Sequence, residues 1–278
     1  MAGPHALDAL LAAAGSLGIT ASGTETVVDL ADAGAREELR AVMAVRSLPG
    51  MVCACAGEAR LDVRGPDGRS LAVVALHHGV TLSWEGWDGD ALLADGPGLL
   101  GWLDRHGVPE PLRLFREAEA RRAAAARERD DWVAAVPGAL RGLTERMLQS
   151  TGGSELRSEA AGLLAKAVPD PVVRVQAVLA WYAAGSGRYS GYPVYEDLPG
   201  AMLGEVPIGE IAAALEDPRA GARHEAGAVR HLIGWRSRKR IRRDIAALPA
   251  PLRARLLAAA RTSPDRATRV RAGERLGG

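Results

Sequence analysis

"MVCACAGEARLDVRGPDGRSLAVVALHHG", residues 51–79, decides whether the N-terminal part of this 278-residue chain holds a β-sheet. Gly65-Pro66-Asp67-Gly68 is a turn signal between two runs in which apolar and polar residues alternate. Pairing Arg64 with Arg69 across it and counting outward sets Cys55 opposite His78. On that register Cys53, Cys55, Leu61 and Val63 share one face of the first strand, Leu76, His78 and Leu82 share the core face of the second, and His77 points to solvent. The pattern is that of a sheet buried on one side.

Around this hairpin, helix and strand signals alternate. Residues 5–17 carry Leu7, Leu10 and Leu11 at helical spacing, and residues 24–30 read as a short strand. Residues 35–48 read as an amphipathic helix through Leu39, Val42, Met43 and Leu48. Residues 96–107 read as a helix with Pro97 in its first turn and Gly107 past its end. Residues 1–108 are expected to form a small α+β domain. From Pro109 the chain turns almost wholly helical: residues 109–150 read as connecting helices, with few apolar anchors between Ala118 and Asp131, and residues 151–278 as a helical domain.

Three stretches in that last region share a pattern: residues 166–187, "KAVPDPVVRVQAVLAWYAAGSG", residues 213–234, "AALEDPRAGARHEAGAVRHLIG", and the C-terminal "ARTSPDRATRVRAGERLGG". In each, a helix ends near a Pro/Asp turn and Arg-x-x-Ala follows, as Arg174 with Ala177, Arg223 with Ala226, and Arg269 with Ala272. The stretches recur every ~45–50 residues and each follows an apolar helix, at 154–168, 208–217 and 250–261. Residues 154–278 thereby resemble HEAT-type helical repeats. The resemblance implies stacked helix pairs, small Ala residues at their contacts, and a curved surface for a partner, with no shared catalytic chemistry.

Composition excludes several classes. Net charge is +1, a quarter of the residues are charged and nearly half are apolar, so the chain is neither disordered nor strongly basic. Only Lys166 and Lys239 are lysines, a skew resembling chains from high-GC genomes, which weakens any single arginine as a sign of phosphate recognition. No run reaches the ~18–20 apolar residues of a membrane span, and residues 1–20 lack the basic start of a signal peptide. Two cysteines cannot form a disulfide framework, so a reducing cytoplasm is expected, with no membrane partner.

Cys53, Cys55 and His78 are residue types that hold zinc, with His106, Asp88 or Asp90 as a fourth ligand. Spacing argues against it: residues two apart on a strand stand ~6.7 Å from each other, whereas two thiolates on one ion lie within about 4 Å. The expectation is therefore no metal and no cofactor, with the cysteines as small core residues. Arg236, Arg238, Lys239, Arg240, Arg242 and Arg243 form a basic run that would suit phosphate backbones, though the near-zero net charge disfavours nucleic acid. Tyr189, Tyr192 and Tyr195 lie in a Gly/Ser/Pro-rich insert and would suit a recognition loop. Trp84 and Trp87 beside Asp88, Asp90 and Asp95 would suit a sugar or a cation. His224 and His231 are seven apart and do not make HExxH, and P-loop and G-x-S-x-G signatures are missing. The favoured reading is an interaction or scaffold protein binding a protein or peptide through the helical surface, Tyr189, Tyr192 and Tyr195, and Arg238, Arg240 and Arg242. The alternatives are a metal-dependent enzyme using Cys53, Cys55 and His78, and a nucleic-acid-binding protein using residues 236–243.

Overall fold

The computed structural model describes residues 6–149, 153–186, 193–234 and 236–277. The chain is α+β, and its contacts divide it into two units, residues 1–123 and 124–278. Among the described residues no single helix is long and apolar enough to cross a membrane.

The first unit is built on a seven-stranded antiparallel sheet of β1 (Ser16–Ala21), β2 (Thr24–Asp29), β3 (Val45–Ser47), β4 (Ala59–Arg64), β5 (Ser70–His77), β6 (Thr81–Trp84) and β7 (Ala91–Leu93). Their order across the sheet is β2-β1-β4-β5-β6-β7-β3. Leu17, Ile19, Leu61, Val63, Val74, Leu76 and Leu82 are fully buried, while intervening residues such as Arg60, Asp62 and Ala75 are half-buried or exposed. Against that core lie Leu7 and Leu11 of α1 (Ala6–Ala12), Leu39 of α2 (Ala33–Val42), and Leu99, Leu100, Trp102 and Leu103 of α3 (Gly96–Arg105). Each such leucine contributes roughly 1.5–3 kcal/mol on burial.

Three expectations for this unit need correcting. The helix expected over 5–17 stops at Ala12, and Ser16–Ala21 becomes the strand between β2 and β4, because its Leu17 and Ile19 are spaced for a sheet face. The helix expected over 35–48 stops at Val42, and Val45–Ser47 pairs with β7. The hairpin is real but two residues out of register: Leu61 faces Val74 and Val63 faces Ala72, with a bulge at Val63/Arg64. A slip of two keeps each side chain on its face, which is why Leu61, Val63 and Leu76 lie in the core as expected. The ladder begins at Ala59, so the cysteines precede it, and β5 ends at His77. His77 is buried and His78 exposed, the reverse of the expectation.

In the second unit, α4 (Glu110–Ala134) enters from the first unit with no buried residue from Ala118 to Asp131. After a 3-10 turn (Gly138–Leu143) come α5 (Thr144–Gln149), α6 (Ser154–Ala167), α7 (Pro171–Ala183), α8 (Asp197–Glu205), α9 (Ile208–Glu216), α10 (Ala222–Ile233), α11 (Arg238–Ala246), α12 (Ala250–Arg261) and α13 (Arg266–Leu276). They pack around Trp132, Trp181, Leu179, Leu203, Leu232 and Leu256. Helices α7 and α10 touch most closely, at Gly227, where a side chain would run into the Leu179 carbonyl.

The shared pattern holds at two of its three places. Asp170 caps α7 through the Val172 and Val173 N–H groups, and Arg174 reaches back to the Val168 carbonyl at 2.9 Å. Asp265 caps α13 in the same way, and Arg269 reaches back to the Ser263 and Pro264 carbonyls. Arg223 departs: α10 starts at Ala222 with Gly221 as its cap, so Arg223 sits in the first turn of its helix rather than one turn in. Ala272 is fully buried, but Ala226 is exposed, and Gly227 and Ala228 take the contact expected of it.

Candidate functional site

Residues 48–58 cross to β4 without regular structure, and the loop is pinned at two points. The Cys53 N–H donates to Asp90 Oδ2 at 2.6 Å, and the Asp90 N–H donates to the Met51 carbonyl at 2.7 Å. At the other end Gly57 has φ +78°, and a side chain there would meet the Leu76 carbonyl at 2.7 Å. The Glu58 N–H then donates to that carbonyl at 2.8 Å and opens the ladder.

After β5 the chain reverses in a turn where His78 and Gly79 have φ +55° and +68° and the Val80 N–H donates to the His77 carbonyl. A histidine in the left-handed region is uncommon, and here it turns the ring of His78 away from the sheet towards the loop. The bulge, the late start of β4 and this turn together bring Cys53, Cys55 and His78 into one cluster, although not on a core face.

Cys53 Sγ and Cys55 Sγ lie 2.9 Å apart. His78 Nε2 is 3.3 Å from Cys53 Sγ and 3.6 Å from Cys55 Sγ. Among the described residues this is the only cluster of histidine, cysteine and carboxylate atoms close enough to share a metal ion. Three polar side chains surround it. His78 Nδ1 is 3.7 Å from Glu58 Oε1, His77 Nδ1 is 3.0 Å from Cys55 Sγ, and His77 Nε2 is 3.0 Å from Ser83 Oγ. The hydrogen bond with the Cys55 side chain, then the Cys55 N–H and His78, holds the Cys53 thiol below its ordinary pKa. The same bond to Cys53 pushes the Cys55 thiol up.

A cavity of about 460 Å³ opens beside the loop, lined by Val52, Ala56, Arg60, Ser83, Trp84, Glu85, Trp87 and Asp90, with Cys53, Cys55 and His78 outside its lining. The two indoles meet edge to face at 5.2 Å. Of the expected grouping, Trp84, Trp87 and Asp90 line this cavity, with Asp90 also tied to Cys53, whereas Asp95 caps α3 through the Gly98 N–H and Asp88 does not line the cavity. His106, considered as a fourth ligand, instead stacks on Trp102 with Nδ1 2.8 Å from the Trp102 carbonyl oxygen. Sequence reasoning missed His77 and Glu58 as neighbours of the cluster. The signal for His77 was the His78-Gly79 dipeptide, an X-Gly pair of the sort that ends a strand in a tight turn.

The other candidates separate. Arg238 and Arg242 line a cleft with α12 and α13 residues, whereas Arg240 lies on another side of α11, bonded to the Gly204 carbonyl. Tyr195 is half-buried with its ring 5.2 Å from Trp132. Tyr189 and Tyr192 lie outside the described residues. Compared with family models, curated proteins and solved structures, the chain matches none.

Proposed function

We propose that the N-terminal domain is a metal-dependent enzyme domain that holds zinc on Cys53 Sγ, Cys55 Sγ and His78 Nε2. The convergence of these three atoms from a pinned loop and a turn supports the reading. The strand spacing that argued against metal does not apply, because neither cysteine is on a strand. Tetrahedral zinc with bonds of about 2.3 Å to sulfur would set the sulfurs about 3.8 Å apart, and the exposed Cys55 needs to move by less than about 1 Å to allow it. Glu58 stands where a carboxylate orients a metal-bound imidazole, and His77 is placed to hydrogen-bond the Cys55 sulfur. Three protein ligands and one open position are the catalytic kind of zinc site. When bound, the ion would supply Lewis acidity and an activated water. Asp90 holds the Cys53 loop, and Trp84 and Trp87 give the cavity beside that loop a wall suited to a ring-bearing substrate.

Elemental analysis of tag-free protein tests this. About one zinc per chain is expected, abolished in Cys53→Ser/Cys55→Ser and in His78→Ala. Protein that retains no zinc after exposure to the ion and gel filtration, while folded by circular dichroism, sinks the proposal.

The helical domain carries a second reading, a HEAT-like array presenting a surface to a protein or peptide. The similar Asp cap and Arg return at the starts of α7 and α13 support it, as does the packing of α10 against α7, α12 and α13. The test is reconstitution with a purified partner. Binding lost on Arg238→Glu/Arg242→Glu but kept in the zinc-site variants would support it, and binding that ignores both sets would not.

A further inference from the structure

The cleft between α11, α12 and α13 encloses about 490 Å³ and is lined by Arg238, Arg242, Arg253, Arg271, Arg275 and Glu274 over a floor of Ile241, Ile245 and Ala246. Five arginines against one glutamate leave four net positive charges in one cleft of a chain whose net charge is only +1. Many arginines elsewhere are matched to carboxylates, as Arg113 with Glu110 and Glu117, Arg157 with Glu205, and Arg219 with Asp170 and Asp217, and unmatched ones such as Arg60 and Arg141 do not line this cleft. Here Arg238, Arg242 and Arg253 have no carboxylate partner among the described residues. Two of the five are already fixed. Arg271 Nε donates to the Ile233 carbonyl at 2.8 Å, and Arg275 Nη1 donates to the Gly234 carbonyl at 3.0 Å. Crowding is evident at Arg275, whose pKa is lowered by burial and then by Arg271, Arg236 and Arg238.

We infer that this cleft binds the oligophosphate group of a small molecule. Three arguments select that chemistry. Guanidinium forks match phosphate oxygens in bidentate pairs, and several phosphates in a row can engage arginines from three helices at once. A triphosphate carries three to four negative charges at neutral pH, which matches the local excess. The cleft is a bounded volume with an apolar floor rather than a stripe along a surface, so a compact anion fits it better than a long duplex.

The test is calorimetric titration of the full chain with inorganic tripolyphosphate and with a nucleoside triphosphate at about 150 mM salt, a concentration at which exposed charges are screened beyond about 8 Å. Both probes are expected to bind, with affinity reduced at least about tenfold in Arg242→Ala/Arg253→Ala and unchanged in Arg113→Ala. Repeating the titration in Cys53→Ser/Cys55→Ser separates binding in the cleft from chelation of an ion in the N-terminal domain, and cleft binding is expected to survive there. Absence of binding by either probe, binding indifferent to the Arg242/Arg253 double change, or capture of duplex DNA that tripolyphosphate does not displace would each overturn the inference.

Discussion

In the sheet domain Cys53, Cys55 and His78 stand at the surface on irregular backbone, whereas in the helical domain Glu196 and Arg230 are sealed inside and paired. Arg230 also donates to the Tyr182 carbonyl at 2.7 Å and lies 4.2 Å from the centre of the Tyr182 ring, while Glu196 Oε1 accepts from the Ser186 N–H at 2.8 Å. The difference teaches where to look for chemistry. Buried charges that satisfy one another hold a structure together, and accessible donors held in place with capacity left over are the ones positioned to take a ligand.

That comparison breaks most readily at Glu196. Glu196→Ala leaves the Arg230 guanidinium in the interior without its counter-charge, and the expected loss in chemical denaturation is about 3–5 kcal/mol. A loss below about 1 kcal/mol would mean that water reaches Arg230, and the contrast between sealed and open polar groups would fall.

Gly227 is the next most sensitive position. A methyl group there meets the Leu179 backbone in α7, which cannot rotate away as a side chain can, so Gly227→Ala is expected to cost about 1–3 kcal/mol. The favourable helix propensity of Ala, worth up to about 1 kcal/mol, acts against this and does not offset it if α7 and α10 stay in contact. A stabilised variant would show that the helices part easily.

Much of the helical domain was legible because its signals are local. Apolar spacing marks α6, α9 and α12 almost to the residue, and prolines lead the last two. The sheet domain was less legible because its errors compound. The start of β4 only at Ala59 left the cysteines off the strand, and the tight turn at His78-Gly79 ended β5 on a buried His77 and turned His78 out. Alternation reports faces and not register, so Leu61 and Leu76 were placed correctly while Cys55 was not. The set Cys53, Cys55 and His78 was readable from residue types alone. Its geometry depends on Asp90, distant in sequence, and no local pattern announces that bond.

His231 offers a pH test of the sealed interior. Burial first, then the nearby Arg236 and Arg240 charges, push its pKa down to about 3. The unfolded chain takes up this proton near the usual value of about 6.5, so between those limits the unfolded state binds more protons and stability falls as the pH falls. Between pH 6 and 5 the loss from this group is as much as about 1.4 kcal/mol per pH unit. Thermal melts of His231→Gln should show a shallower decline over that range than the unaltered chain, and identical slopes would mean that His231 gains its proton while folded.

The smallest expected effect is the one that most sharpens the contrast within α10. Ala226 and Gly227 are neighbours in sequence but differ by about 100° around the helix, enough to carry Ala226 from the α7 contact into solvent. If the repeat were regular, with Ala226 equivalent to the buried Ala272, replacing it by Leu would overpack a helix pair. With Gly227 at the contact, Ala226→Leu adds an exposed side chain of good helix propensity, and its stability should stay within about 0.5 kcal/mol of the unaltered chain. Measured beside Gly227→Ala under the same conditions, the pair reports which face of α10 meets α7. A large loss from Ala226→Leu together with a tolerated Gly227→Ala would rotate the helix and restore the regular repeat.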